Sequence, residues 1–384
     1  MNRLGIVWVR FGTKVGILGG SVILQKQFSQ RVEDKAEISL VTHELSYEWH
    51  RKFGVIAKPL NLDKTNWAWR QGTIASFYSM VKAIFHSYIG NYQIVAARSH
   101  YLHDVLPALW IKIQTKAKLA VYVITVTIPE PGGWSFLNWF VVTIQHFLSI
   151  LLIKKFSDVV FVLDPYDKSM LERFNIDSSK IIVTHGGVEL EEINNVPDIE
   201  KKEYDAVYFG RFSKSKGIFD LIESWKYVID EKPSAKLLIF GFGDGEDIDK
   251  MNKSIVRLEL TNNIVIKGPL FGEDKFRMLK SSTLYVNPSY VDTWCLATAE
   301  AAACKTPVVV YGLQTYKSTY GNSIMMVRTG DVRELSETIL KLLNNPELRK
   351  KISEIAYKRV LKYTWEEAVK NEFNALKSLF NSDE

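Results

Sequence analysis

Thr283-Leu284-Tyr285-Val286-Asn287-Pro288-Ser289-Tyr290-Val291-Asp292 is followed, after seven intervening residues, by Glu300-Ala301-Ala302-Ala303-Cys304-Lys305-Thr306-Pro307-Val308-Val309-Val310. Two short apolar runs, one halted by Asn-Pro-Ser and the other opened by Thr-Pro, read as strands. The alanine-rich stretch between them reads as a helix. Asp292 falls in the loop where the first strand ends, and Glu300 falls within the helix. Strand, helix and strand in this order make a parallel unit, because parallel neighbours need a crossover connection.

The same alternation extends along the chain. Ile6–Val9 leads through Gly16-Ile17-Leu18-Gly19-Gly20 into a helical stretch from Ser21 to Glu33, and Ile38–Thr42 reads as the next strand. Ile94–Ala97, Leu119–Val126, Val159–Val162 and Ile181–Val183 follow, then Ala206–Phe209, Lys236–Phe240 and Ile264–Ile266. Val- and Ile-rich runs separated by helices imply α/β architecture with parallel sheets buried on both faces. A chain of 384 residues exceeds what one core serves, so two Rossmann-like domains facing a cleft are expected. The expected division is 1–190, 191–363 and a last helix over 364–384, with Glu191–Lys202 as linker. Net charge is +6, too weak to argue for nucleic acid but suited to an anionic ligand or membrane surface. Cys295 and Cys304 give neither a disulfide framework nor a metal-ligand spacing, and the start does not read as a signal peptide, so the expectation is a cytoplasmic protein.

Phe209-Gly210-Arg211-Phe212-Ser213-Lys214-Ser215-Lys216-Gly217, then Gly241-Phe242-Gly243-Asp244-Gly245, then the acid–x7–Glu element occur in an order that resembles the family-4 retaining glycosyltransferases of the GT-B fold, the glycosyl transferases group 1. Further likeness lies in Ile218–Glu223, in Thr329-Gly330-Asp331, and in Tyr363-Thr364-Trp365-Glu366, which opens a helix that in this fold crosses back onto the first domain. The resemblance implies a nucleoside-diphosphate sugar donor, UDP- or GDP-linked, and no metal or other cofactor. It assigns Arg211 and Lys216 to the diphosphate, Glu300 to the ribose and Asp292 to the sugar hydroxyls. Gly210, Gly243, Cys295 and Leu296 would line the donor, and Gly19 and Gly20 would let the first domain approach it. Free N–H groups of the loop and helix N-terminus suit the diphosphate. A nicotinamide fingerprint is disfavoured, because Glu246 stands where its third glycine belongs.

Departures from the family pattern are specific. Asp292 replaces the usual Glu, Thr293 and Cys295 stand where small glycines are usual, and Lys305 replaces another. A histidine common after a central strand of the first domain is absent, with Thr125 or Thr127 in its place. Thr127 and His100 are therefore the acceptor-side candidates. These departures also fit a sugar-nucleotide-binding or scaffold protein of the same fold without turnover. Trp134–Ile153 is the longest apolar segment, about the length of a membrane span. Ser135, Asn138, Gln145, His146 and Ser149 share one helical stripe and argue against spanning. A core helix and a helix resting on a bilayer both remain open. The second implies peripheral membrane contact and a lipid-linked or glycan acceptor.

Overall fold

The structure, a computed structural model, describes residues 3–11, 20–63, 80–84, 88, 90–126, 136–200 and 202–381. Gly19, Thr127 and Trp134 lie outside them. The chain divides into two compact units, Met1–His185 with Trp365–Glu384, and Gly186–Thr364.

In the first unit β1 (Leu4–Val9), β2 (Ala36–His43), β3 (Lys58–Asp63), β4 (Ile94–Ala97), β5 (Lys118–Val123), β6 (Val159–Val162) and β7 (Ile181–Val183) form one sheet, ordered β3-β2-β1-β4-β5-β6-β7. All its pairings are parallel. The central strands are apolar on both faces, so each needs a covering layer. Helices α1 (Gly20–Arg31), α2 (Glu44–Lys52), α3 (Leu102–Thr115), α4 (Phe136–Phe156) and α5 (Pro165–Arg173) belong to this unit. Val7, Val95 and Val121 point into one core with Val105 and Ile153, and Ile6, Trp8 and Ile94 into the other.

The second unit repeats the logic with α6 (Leu190–Asn195), β8 (Tyr204–Arg211), α7 (Ile218–Glu231), β9 (Leu237–Phe242), α8 (Gly245–Arg257), β10 (Ile264–Lys267), α9 (Gly272–Lys280), β11 (Ser282–Asn287), α10 (Leu296–Ala303), β12 (Val308–Tyr311), α11 (Gln314–Tyr320), β13 (Met325–Val327), α12 (Val332–Leu343) and α13 (Pro346–Val360). Its parallel sheet runs β10-β9-β8-β11-β12-β13. Strand order reverses direction between β8 and β11, which makes the carboxyl ends of those two strands the flanks of a topological switch point.

The last helix, α14 (Trp365–Asn381), belongs to the first unit. Its Val369 and Leu376 pack with Trp8, Phe28 and Phe161. Between them Glu372 is carried into the same interface. There Arg98 Nη1 meets its carboxylate at 3.1 Å and the Tyr122 hydroxyl donates to it. The Arg98 guanidinium lies over the rings of Trp8 at 4.6 Å and Tyr122 at 3.7 Å, so the charge is held from both sides. Burial pushes the Glu372 carboxyl above its ordinary range despite the neighbouring Arg98.

Two strands went unread in the sequence. Lys58-Pro59-Leu60-Asn61-Leu62-Asp63 is polar and contains proline, and it occupies the sheet edge, where both are tolerated. Met325–Val327 is three residues long and is one edge of the other unit's sheet. The strand expected to run to Val126 ends at Val123; the Val126 amide instead donates to Asp167 at 3.0 Å. Glu191–Lys202 is not a bare linker. It begins within α6, and Ile193 and Val196 are buried. The chain passes between units at His185–Gly186 and Thr364–Trp365.

Arg98→Met strands a buried carboxylate and should destabilise the protein by about 3–5 kcal/mol, whereas Arg98→Met with Glu372→Met should recover most of that loss. The folded-state pKa of Glu372 is raised, so its contribution is fully present below its unfolded pKa and is lost as pH rises through its folded pKa. The Arg98→Met deficit should therefore shrink toward acid. Denaturant titrations of the four variants at two pH values check both statements; additive losses, or a deficit that grows in acid, would contradict them.

Candidate active site

The two loops that flank the switch point of the second unit carry the charged groups. After β8 the chain makes a single 3-10 turn, Lys214–Lys216, and enters α7 through Gly217 at φ 67°. Glycine is required at 217 for two reasons. The backbone is left-handed, and a Cβ would stand 1.8 Å from the Pro288 carbonyl oxygen of the loop after β11. The two loops are thus in backbone contact, and the Tyr290 amide donates to the Ser215 carbonyl at 3.0 Å.

Lys216 ties them together. Its ammonium donates to the Val291 carbonyl at 2.8 Å and pairs with Asp292 Oδ1 at 3.2 Å. Asp292 also accepts from the Tyr316 hydroxyl at 3.0 Å, and its own carbonyl accepts from Thr315 Oγ1 at 3.0 Å. Burial alone would push the Asp292 carboxyl up. The Lys216 charge and hydrogen bonds from Cys295, Lys216 and Tyr316 outweigh it and hold the group below its ordinary value. Asp292 is therefore a largely buried, ionised acceptor.

Cys295 precedes α10 at φ 46°, inside the left-handed region, and Lys305 follows that helix at φ 57°. Of the three positions at which this chain departs from glycine, these two have a backbone that favours glycine and Thr293 does not. The Cys295 thiol accepts from Asn287 and Thr298, each at 3.3 Å. Burial, aided by the Asp292 charge, pushes it up to about 12, so it stays a thiol.

Glu300 is buried within α10, where Lys275 of α9 meets its Oε1 at 2.6 Å. The Lys275 ammonium lies 4.4 Å from the Phe276 ring centroid and 5.8 Å from that of Phe209, the residue before Gly210. Arg211 ends β8 exposed, and its carbonyl accepts from the Tyr208 hydroxyl at 2.7 Å. A Cβ on Gly210 would meet that same hydroxyl at 3.1 Å, and one on Gly243 would meet Phe212 at 2.8 Å. Burial pushes the Tyr208 hydroxyl well above its ordinary value, the Asp292 charge adds to it and Arg211 opposes it. Leu296 is half-buried at the start of α10.

Arg211, Lys216, Asp292, Cys295, Leu296, Glu300, Gly210 and Gly243 thus converge on one end of one sheet. Lys216 is not a free cation, because Asp292 pairs with it. Lys275, Tyr316 and Asn287 complete the arrangement and were not assigned from sequence. Both Lys275 and Tyr316 lie outside the motifs named above. Gly20 and His100 belong to the first unit. Gly20 opens α1. His100 is buried between Tyr101 and His146, and burial lowers its pKa to about 3, so it is neutral. Among the described residues no group of three His, Cys, Asp or Glu is placed to hold a metal ion.

Residues 190–359 match the family described as glycosyl transferases group 1. The second unit is a glycosyl transferases group 1 domain. All six strands of its sheet fall within the match. The chain is 27% identical over 180 residues to poly(glycerol-phosphate) alpha-glucosyltransferase of Bacillus subtilis, covering 46% of this chain and 26% of that protein. It is 28% identical over 155 residues to the capsular polysaccharide biosynthesis glycosyltransferase CapM of Staphylococcus aureus, covering 40% of each. The chain therefore spans less than half the length of these two relatives. Among solved structures, Anabaena Alr3699/HepE in complex with UDP and glucose superposes with a TM-score of 0.73 at 14% identity, covering 98% of this chain and 100% of that one. That likeness establishes the fold, which is GT-B.

Two substitutions test the backbone reading of the group 1 domain. Gly217→Ala should destabilise the protein by about 3 kcal/mol or more, since a side chain there meets both a left-handed φ and a carbonyl oxygen. Lys305→Gly should stabilise it by about 0.5–1 kcal/mol through relief of the left-handed backbone. Urea titration measures both; a neutral Gly217→Ala would contradict the packing of the two loops.

Proposed function

We propose that this protein is a retaining glycosyltransferase that moves a sugar from a nucleoside-diphosphate sugar to a hydroxyl of a lipid-linked or polymeric glycan. The observation that carries the reading is the convergence of Arg211, Lys216, Asp292 and Glu300 at the carboxyl ends of β8 and β11, the switch point where open α/β sheets bind ligands. The group 1 match and the relatives' names support it. The UDP and glucose named with the Anabaena protein suit a UDP-sugar as donor, with a GDP-sugar as the second candidate.

Arg211 offers a planar fork to diphosphate oxygens, and Lys216 a point charge beside it. Glu300, buried and acceptor-only when ionised, takes the ribose hydroxyls; Asp292 takes hydroxyls of the sugar. Neutralising the departing diphosphate is the principal catalytic task, because charge develops there as the bond to the anomeric carbon breaks. The acceptor oxygen then bonds to the same face of that carbon, and its proton passes to an oxygen of the departing diphosphate. No protein nucleophile and no metal ion takes part in this scheme. The first unit supplies the acceptor site, and the enzyme works in the cytoplasm.

Arg211 is the cleaner probe of the two cations, because Lys216 also holds Asp292. Arg211→Ala should cut turnover about a hundredfold, the scale of losing one preorganised charge stabiliser, without unfolding the protein. Glu300→Gln should weaken bare UDP or GDP about tenfold or more, the scale of a hydrogen bond to a charged group. Calorimetric titration and a donor-consumption assay measure these. Intact nucleotide affinity with no transfer and no donor hydrolysis in the wild type would point instead to a binding protein, and unchanged turnover in Arg211→Ala would remove the diphosphate assignment.

A further inference from the structure

Helix α4 has two apolar sides. Ser149, Ile150 and Ile153 are buried, and His146 with them; the Ser149 hydroxyl donates to the His100 carbonyl. The polar residues of the stripe read from sequence thus point in part toward the protein. The opposite side is open to water among the described residues, although the Phe147 ring also meets that of Phe174 edge-on at 6.1 Å. Ile144, Phe147, Leu148 and Leu151 are between 42% and 62% exposed, and their spacing of three, one and three residues makes one continuous helical face. Large contiguous apolar surface left in water marks an interaction site.

Charge decides the occupant. From Phe136 to Phe156 the helix has no acidic residue, and its last turn carries exposed Lys154 and Lys155. The next carboxylate, Asp158, is taken by Lys112 of α3 at 2.5 Å. An apolar face ending in uncompensated lysines fits the interface of an anionic bilayer, with the side chains in the acyl boundary and the ammonium groups among phosphates. Two copies joined through this face would bring lysines together with no acid on the helix to meet them. No described helix is long and apolar enough to cross a membrane, so α4 lies on the surface.

We infer that this face of α4 docks the protein on an anionic membrane. Docking itself does not depend on the transfer proposed above; that the acceptor hydroxyl belongs to a membrane-borne molecule does rest on it.

The test is flotation of the full chain, without nucleotide, on vesicles of phosphatidylcholine alone and of equal parts phosphatidylcholine and phosphatidylglycerol. Wild type should float with the anionic vesicles only, and added salt should release it. Leu148→Glu with Leu151→Glu should lower the bound fraction tenfold or more with an unchanged near-ultraviolet dichroism spectrum. If that variant fails to fold, Leu151→Ser alone should still weaken binding. Lys154→Gln with Lys155→Gln leaves the apolar face intact and should lower anionic binding about tenfold or more, given the contribution of each lysine near such a surface. Wild type that stays with the pellet on both vesicles, or a Glu variant that floats like wild type, overturns the inference. So does a wild-type dimer that the Glu variant dissociates while vesicles capture neither, because the face is then a self-association surface. Nucleotide titration of the same wild-type sample tells failure of docking from failure of the transfer reading.

Discussion

One ion pair organises the second unit's site. Lys216 stands after β8 and Asp292 after β11, strands that are adjacent in the sheet but far apart in the sequence. Parallel sheets leave the loops at their carboxyl ends without ladder partners, so something else must fix them. Here the Lys216 ammonium does so twice, through the Asp292 carboxylate and the Val291 carbonyl. Both groups are largely withdrawn from water, which strengthens the pair and also makes either one expensive to leave alone. The remaining details of the loop follow from it. Tyr316 and Thr315 brace Asp292 from α11, and Gly217 lacks a side chain so that the two loops can touch.

A second lysine–acid pair, Lys275 with Glu300, repeats the device one helix away. The two acids thereby reach the same end of the sheet with different neighbours. Asp292 sits among hydroxyls, a thiol and Lys216; Glu300 sits against Lys275 and the faces of Phe276 and Phe209. Under the proposed function, that separation of environments gives them separate partners on one donor, one the sugar and one the ribose. In the first unit Arg98 and Glu372 use charge differently. They anchor α14 on the sheet, with the guanidinium over the Trp8 and Tyr122 rings, a structural role with no exposed group to offer a ligand.

The fold was legible because parallel sheets are apolar on both faces. Val159–Val162, Ile94–Ala97 and Ile181–Val183 read as strands to the residue. Two of the four edge strands escaped, Lys58–Asp63 because its composition is polar and Met325–Val327 because it is only three residues long. In the site, the acid–x7–Glu spacing and the Gly-Arg…Lys-Gly run named the residues that the structure assembles, because each motif stays within one strand–loop–helix unit. What the sequence could not supply were partners across units of that kind. Lys275 for Glu300 and Tyr316 for Asp292 depend on how helices settle beside the sheet, and no local pattern encodes that. Likewise the apolar excess of Phe136–Phe156 was plain in the sequence, but only the structure separates the side that packs on the first sheet from the side left in water.

The central claim is that Lys216 and Asp292 act as one unit, and a double-mutant cycle on unfolding free energy tests it most directly. Lys216→Met and Asp292→Asn should each destabilise by about 2–3 kcal/mol, less than a wholly buried pair because Lys216 keeps some contact with water. The double variant should lose no more than the worse single one, a coupling well above the few tenths expected of independent sites. Losses that simply add would contradict the account, since the two loops would then be held by something other than this pair.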